Sequence, residues 1–189
     1  MSPEPADPPL PAERFDALLE ERSSALRIDA AQARPALAAY LEELDLWRRR
    51  MNLTGRLSAV ELADHALESL VANDLIPHGE RVVDIGSGAG FPGLPIAISR
   101  RDLEVSLVEP RGKRAAFLRH VIRVLSLDRV VVLERRFEEV GGQTFGAATS
   151  RAVGAPSKMI DAAPFLRPGG VFLLWTTQDA DLGLIPSGW

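Results

Sequence analysis

The sequence predicts an α/β fold in which a Rossmann-like parallel sheet is flanked by helices and preceded by an N-terminal helical layer. Three observations carry that expectation. From residue 81 onward, short β-branched runs alternate with segments of helical spacing, the pattern of a parallel sheet. Residues 12 to 78 show helical spacing only. Between the two, Arg81 to Ile85 runs into the glycines 86, 88 and 90 and then Pro92, which reads as strand, tight loop and helix start. Such a loop at the carboxyl end of a parallel strand leaves backbone N–H groups free for a nucleotide-like ligand.

The chain has 189 residues, 46% hydrophobic and 25% charged, enough for one well-buried domain. There is no cysteine, which excludes disulfides and thiolate metal sites. His65, His78 and His120 are too scattered for a zinc site, and no metal is expected. No apolar run reaches membrane-spanning length, and the proline-rich, acidic start lacks a signal-peptide core, so a cytoplasmic monomer without a membrane partner is expected. The net charge of −4 conceals a gradient. Residues 1 to 47 hold ten acids against four bases, whereas Arg100 to Arg136 holds ten bases against five acids. A solvated helix face explains any one such cluster as well as phosphate binding does.

Taken in order, residues 1–11 form a disordered lead, 12–78 the helical layer and 79–189 the core. A first helix over 12–25 has Phe15, Leu18 and Leu19 on one side. A second opens at Pro35 and buries Leu37, Tyr40, Leu41, Leu44 and Trp47. A third is capped by Ser58 with Glu61 three residues on, and lines up Leu62, Ala66, Leu67, Leu70 and Val71. Strands are expected at 81–85, 103–108, 130–134, 146–150 and 171–176, with helices near 92–100, 111–126 and 155–165. The helix over 111–126 turns Phe117, Val121, Val124 and Leu125 to the sheet. Arg111, Lys113, Arg114 and Arg119 crowd its amino-terminal half, where positive charge opposes the helix dipole.

The glycine loop can be parsed in two ways. Gly88 to Gly93 matches the dinucleotide fingerprint G-x-G-x-x-G, with Glu109 at the end of the second strand. Asp84 to Gly90 instead reads D-x-G-x-G-x-G, the loop of class I S-adenosylmethionine-dependent methyltransferases, and Glu109 then holds both ribose hydroxyls. Three features favour the second parse. Asp84 suits a ligand with a cationic amino group, the Arg136-Phe137-Glu138-Glu139 segment supplies acids where an adenine would lie, and nothing suggests a hydride-transfer site.

Beyond the loop, the chain resembles the bacterial 16S ribosomal RNA guanine-N7 methyltransferase family, also called the glucose-inhibited division protein B family. The likeness runs from about Tyr40 to Trp175. It rests on Trp47 with Asn52-Leu53-Thr54, His65 with Glu68-Ser69, and Val83 to Gly93 with its Phe91-Pro92-Gly93 ending. Gly112-Lys113-Arg114 with Phe117-Leu118, Arg136 to Glu139 and Ser150-Arg151-Ala152 complete it.

The resemblance implies a class I methyltransferase that binds S-adenosylmethionine and methylates N7 of a guanosine in 16S rRNA of the small ribosomal subunit. It also implies the roles of individual residues. Gly86, Gly88, Gly90 and Phe91 would line the methionine part of the cofactor, and Asp84 would orient its amino group. Glu109 would bind ribose, with Phe137 and Glu138 at the adenine. Arg151 would face the cofactor carboxylate or the target nucleotide, with Asn52 and His65 near the mouth of the site. Arg48, Arg49, Arg50, Arg56, Lys113, Arg114 and Arg119 would be the phosphate contacts. Because N7 carries a free lone pair, no general base is required.

This chain departs from the family pattern in places. It has Phe145-Gly146 where the family has an aromatic and Asp, Glu68 where the family has Asp, and Trp175-Thr176-Thr177-Gln178 where the family has a Lys-Gly pair. It ends at Trp189, about where the closing hairpin of a seven-stranded sheet should begin, which implies a shortened C-terminal end and an exposed sheet edge. Two alternatives stay open at this point: a methyltransferase with another substrate, and a cofactor-binding but catalytically degenerate ribosome-associated module.

Overall fold

A computed structural model describes residues 8–141, 144–151 and 165–176. Three helices come first: α1 (Ala12–Leu26), α2 (Arg34–Arg48) and α3 (Ala59–Ser69). There follow β1 (Arg81–Ile85), α4 (Gly93–Ser99), β2 (Glu104–Val108), α5 (Gly112–Val124), β3 (Val130–Leu133), β4 (Phe145–Arg151) and β5 (Leu166–Trp175). Short 3₁₀ turns lie at Leu70–Asp74 and Phe137–Glu139. The helix expected over 155–165 falls outside the described residues except at its last position.

All five strands are parallel, in the order β3-β2-β1-β4-β5. Successive crossovers from β1 through α4 to β2 and through α5 to β3 run in one direction, so right-handed connections put both helices on one face. That face carries the larger core. Val82, Val105, Leu107 and Ala147 of the strands meet α4, α5 and the three N-terminal helices in one continuous cluster. The other face holds Val83, Ile85, Val108 and Ala148 with Val140, Phe145 and Phe137. Strand alternation assigns each residue to its face.

The N-terminal helices form for the reasons read from their spacing. Phe15, Leu19, Leu37, Tyr40, Leu41 and Leu44 are all fully buried. Ser58 closes its capping box: its hydroxyl accepts from Glu61 N at 3.2 Å, and its own N–H donates to Glu61 Oε2 at 2.7 Å. Two expected core residues are exposed instead. Val71 is 59% exposed because α3 ends at Ser69 and the tighter 3₁₀ turn rotates it off the buried face. Val124 is 46% exposed, and Leu118 takes the core position beside Phe117 and Val121.

The departure at Gly146 has a structural account. A Cβ there would lie 1.9 Å from the Glu80 side chain, which occupies that space and pairs with Arg167 of β5. β5 begins five residues earlier than expected. Arg167 to Gly170, ahead of the expected start, form a bulge between the Phe145–Leu166 and Ala147–Val171 pairs, with Gly169 at φ +76°.

Candidate functional site

Strand order reverses between β1 and β4, where connections leave in opposite directions and a crevice opens outside the carboxyl ends of the strands. The glycine loop closes one side of this crevice. Gly86 N and Ser87 N both donate to Val108 O, at 2.9 and 3.0 Å, which lays the loop over the end of β2. Gly90 has φ +106°, and a Cβ there would collide with Leu94 at 2.4 Å, so only glycine lets the chain turn down into α4.

Glu109, one residue past β2, is buried at 3% exposure and faces that loop. Its Oε2 accepts from Gly88 N at 3.0 Å and its Oε1 from Arg111 N at 2.8 Å. The carboxylate thus joins the loops after β1 and β2 and sits on the floor of a cleft of about 610 Å³. That is room for a nucleoside-sized ligand. Leu53, Thr54 and Leu57, from the segment between α2 and α3, form the opposite wall. Arg114 of α5 helps to hold that segment, its Nη2 donating to Asn52 O at 3.4 Å.

Arg151 and His65 form the far wall. Arg151 ends β4, and β4 is pinned to β1 beside it: Ser150 Oγ donates to Ile85 O at 2.9 Å and Thr149 Oγ1 to Asp84 Oδ1 at 2.9 Å. Arg151 Nη2 donates to Glu68 Oε2 at 2.8 Å, and Nη1 meets His65 Nδ1. The His65 ring stands edge-on to Phe91, centroids 5.8 Å apart. Burial holds its pKa below the usual imidazole value, helped by the charge of Arg151 and opposed by Glu68 and Glu61.

Of the residues singled out in the sequence, Gly86, Gly88, Phe91, Glu109, Arg151, His65 and Arg114 come together around this cleft. Asp84 lies beneath it. The side chain is fully buried under the loop, Oδ2 has no hydrogen-bond partner, and burial pushes the carboxyl up to about 6 against the neighbouring Ser87, Thr149 and Gly93. Direct contact between Asp84 and a ligand amino group is therefore not available in this conformation. Phe137 and Glu138 stand outside the lining, Phe137 against Phe165 with centroids 4.6 Å apart and Glu138 exposed. Asn52 is exposed at the rim, its Oδ1 accepting from Gly55 N at 3.1 Å.

The cationic residues divide as well. Arg48 is tied to Asp45 and to the Leu57 carbonyl, and Arg49 to Asp45 and Pro8 O, so both brace the fold. Arg119 pairs with Glu134 at 2.7 Å. Arg50, Arg56 and Lys113 are exposed. Sequence reasoning missed Tyr40 as a site residue, although its hydroxyl donates to Ala89 O at 2.8 Å inside the glycine loop and its ring packs on Phe91.

Residues 33–181 match the family described as rRNA small subunit methyltransferase G. The chain belongs to this family. The ribosomal RNA small subunit methyltransferase G of Sorangium cellulosum is 41% identical over 81% of this chain and 68% of its own length. That of Chloroflexus aggregans is 44% identical over 71% of this chain and 60% of its own, and that of Vibrio cholerae 36% identical over 92% and 83%. The chain thus spans between three-fifths and about four-fifths of these relatives.

Solved structures agree on the fold of this rRNA small subunit methyltransferase G family member. Coclaurine N-methyltransferase superposes with a TM-score of 0.52 at 17% identity, covering 86% of this chain and 56% of that one. A Plasmodium falciparum protein assigned as a protein-L-isoaspartate O-methyltransferase gives 0.56 at 18%, covering 87% and 85%. The parallel sheet with flanking helices is a class I methyltransferase fold. Among the described residues no helix is long and apolar enough to cross a membrane, and no cluster of acids and histidines could hold a metal ion.

Proposed function

We propose that this protein transfers a methyl group from S-adenosylmethionine to N7 of a guanosine in 16S rRNA of the small ribosomal subunit. The observation that supports it most directly is Glu109. A buried carboxylate braced by the N–H groups of Gly88 and Arg111 keeps lone pairs for two adjacent hydroxyls, as a ribose offers. Gly86 and Gly88 bring backbone close to the ligand there without side chains in the way. Membership of a family named for small-subunit rRNA methylation supplies the acceptor class.

When bound, the cofactor supplies an electrophilic methyl on sulfonium. The N7 lone pair would accept that methyl, with the thioether as the leaving group. No proton has to be removed first, so these residues act by positioning: Glu109 and the glycine loop fix the donor, and the segment carrying Leu53 and Thr54 covers it. Arg50, Arg56 and Lys113 are exposed and serve in this reading as the phosphate contacts.

The test is methyl incorporation from labelled cofactor into small subunits and into naked 16S rRNA, with the modified atom mapped. Label at a guanine N7 of 16S rRNA is the expected outcome. Cofactor binding without transfer to any RNA would favour a degenerate module instead.

A further inference from the structure

The far wall of the cleft holds more than a salt bridge. Arg151 is gripped by two α3 residues three apart, His65 and Glu68. A guanidinium has only donors to offer, so the imidazole nitrogen it meets, Nδ1, must supply a lone pair. The neutral His65 ring therefore carries its proton on Nε2. Glu68 Oε2 also lies 3.4 Å from Nδ1, too long for a good N–H···O bond, and does not reverse this tautomer.

The ring is held in place from several sides. Phe91 meets it edge-on. Ser69 Oγ donates to the His65 carbonyl at 2.6 Å, and Trp175 Nε1 of β5 donates to Glu68 O at 3.1 Å. Nε2 has no protein partner among the described residues, and it is not among the buried atoms left without one. His65 lines the cleft with 30% of its side chain exposed, beside a cationic arginine, and Nε2–H is the ring donor that Arg151 leaves unengaged.

We propose that His65 is a specificity residue of the methyl-transfer site: its Nε2–H donates to a keto oxygen next to the nitrogen that receives the methyl group, while Nδ1 holds Arg151. This rests on the rRNA methyl-transfer reading above. Guanine has the acceptor O6 beside N7, whereas adenine has the N6 amino group there. A donor in this place pairs with guanine and sets two donors against each other with adenine.

Acid should disarm the arrangement. The groups facing His65 are Glu61 and Glu68 from α3 and Arg151 from β4, with the uncharged Phe91 on the loop side. Protonation at Nδ1 removes the acceptor and puts a second positive charge beside Arg151. Since burial and Arg151 hold the imidazole below its usual range, the loss falls on the acid side of pH 6.5.

The experiment compares wild type, His65→Gln and His65→Asn in methyl transfer to small subunits lacking the modification, across pH, with S-adenosylmethionine binding measured by calorimetry. Gln places an amide N–H near the position of Nε2. Asn can put its carbonyl oxygen near the position of Nδ1, but its side chain is too short to bring an amide N–H to the position of Nε2. Calorimetry gives the cofactor affinity of each protein, transfer is then compared at saturating S-adenosylmethionine, and neither variant should show the acid-side fall. His65→Asn should lose about tenfold or more in kcat/KM, the size of one lost base contact, and His65→Gln clearly less. Equal transfer by the two variants, a better Asn variant, or an acid limb that survives both would overturn the donor role. Wild-type protein that binds cofactor but methylates no RNA would instead overturn the rRNA reading, and this proposal with it.

Discussion

Asp84 has the least comfortable environment of the described carboxyls. It is fully buried with one oxygen bonded to Thr149 and the other to nothing. Burial raises its pKa from 3.8 to about 6. The folded state therefore holds the proton more tightly than the unfolded chain, and the stability linked to this group is complete below about pH 4 and lost as pH rises through 6. At about 1.36 kcal/mol per pH unit the loss is roughly 3 kcal/mol. Asp84→Asn removes that titration. Urea unfolding at pH 4 and pH 7 should show wild type losing roughly 2 kcal/mol more than the variant over this interval, part of the loss being already present at pH 4. Parallel stability profiles for the two proteins would mean that Asp84 is not the group responsible.

At the scale of elements, α2 and the glycine loop act as one piece. Tyr40 is the only tyrosine in the chain, is fully buried, and spends its hydroxyl on Ala89 O in the loop. Tyr40→Phe keeps the packing on Phe91 and leaves that carbonyl without its partner. The expected costs are about 1 kcal/mol of stability and a several-fold weaker grip on S-adenosylmethionine, read by urea unfolding and calorimetry. Unchanged affinity would show that the loop holds its shape without α2. This contact also marks where sequence reading stops. Glu109 and Gly88 were legible as residues of one site because a strand and its loop fix their places, though not as hydrogen-bonded to each other. Tyr40, 49 residues from Ala89, looked like any core residue of an amphipathic helix. Thr149 and Ser150 reach β1 across 65 residues, which no local pattern announces. The bulge at Arg167 to Gly170 was hidden for the opposite reason, since Pro and Gly in a row signal a turn and here interrupt a strand. Phe137 and Glu138 were placed at an adenine by motif, and in the structure Phe137 packs on Phe165 while Glu138 is exposed.

For the molecule as a whole, the question is whether the helical layer is separable from the sheet. Its core is not: Phe15, Leu41 and Leu62 belong to the same cluster as Val82, Leu107 and Phe117. Trp47 packs on Phe117 and His120 of α5, and His120 reaches Glu43 of α2 at 2.8 Å. The cleft takes one wall from each part, Leu53 to Leu57 and His65 from the first and Gly86, Glu109 and Arg151 from the second. A ligand that needs both walls binds only the fully folded chain. Tryptophan fluorescence and far-ultraviolet circular dichroism should thus report one coincident unfolding transition. S-adenosylmethionine at 100 times its dissociation constant should move both signals together by about 2.7 kcal/mol. Glu109→Gln keeps the side chain's shape but swaps one acceptor oxygen, braced by Gly88 or Arg111, for an amide donor, so the shift should largely vanish in that variant. Two transitions, with the ligand moving only one, would show instead that the sheet folds and binds without its helical layer.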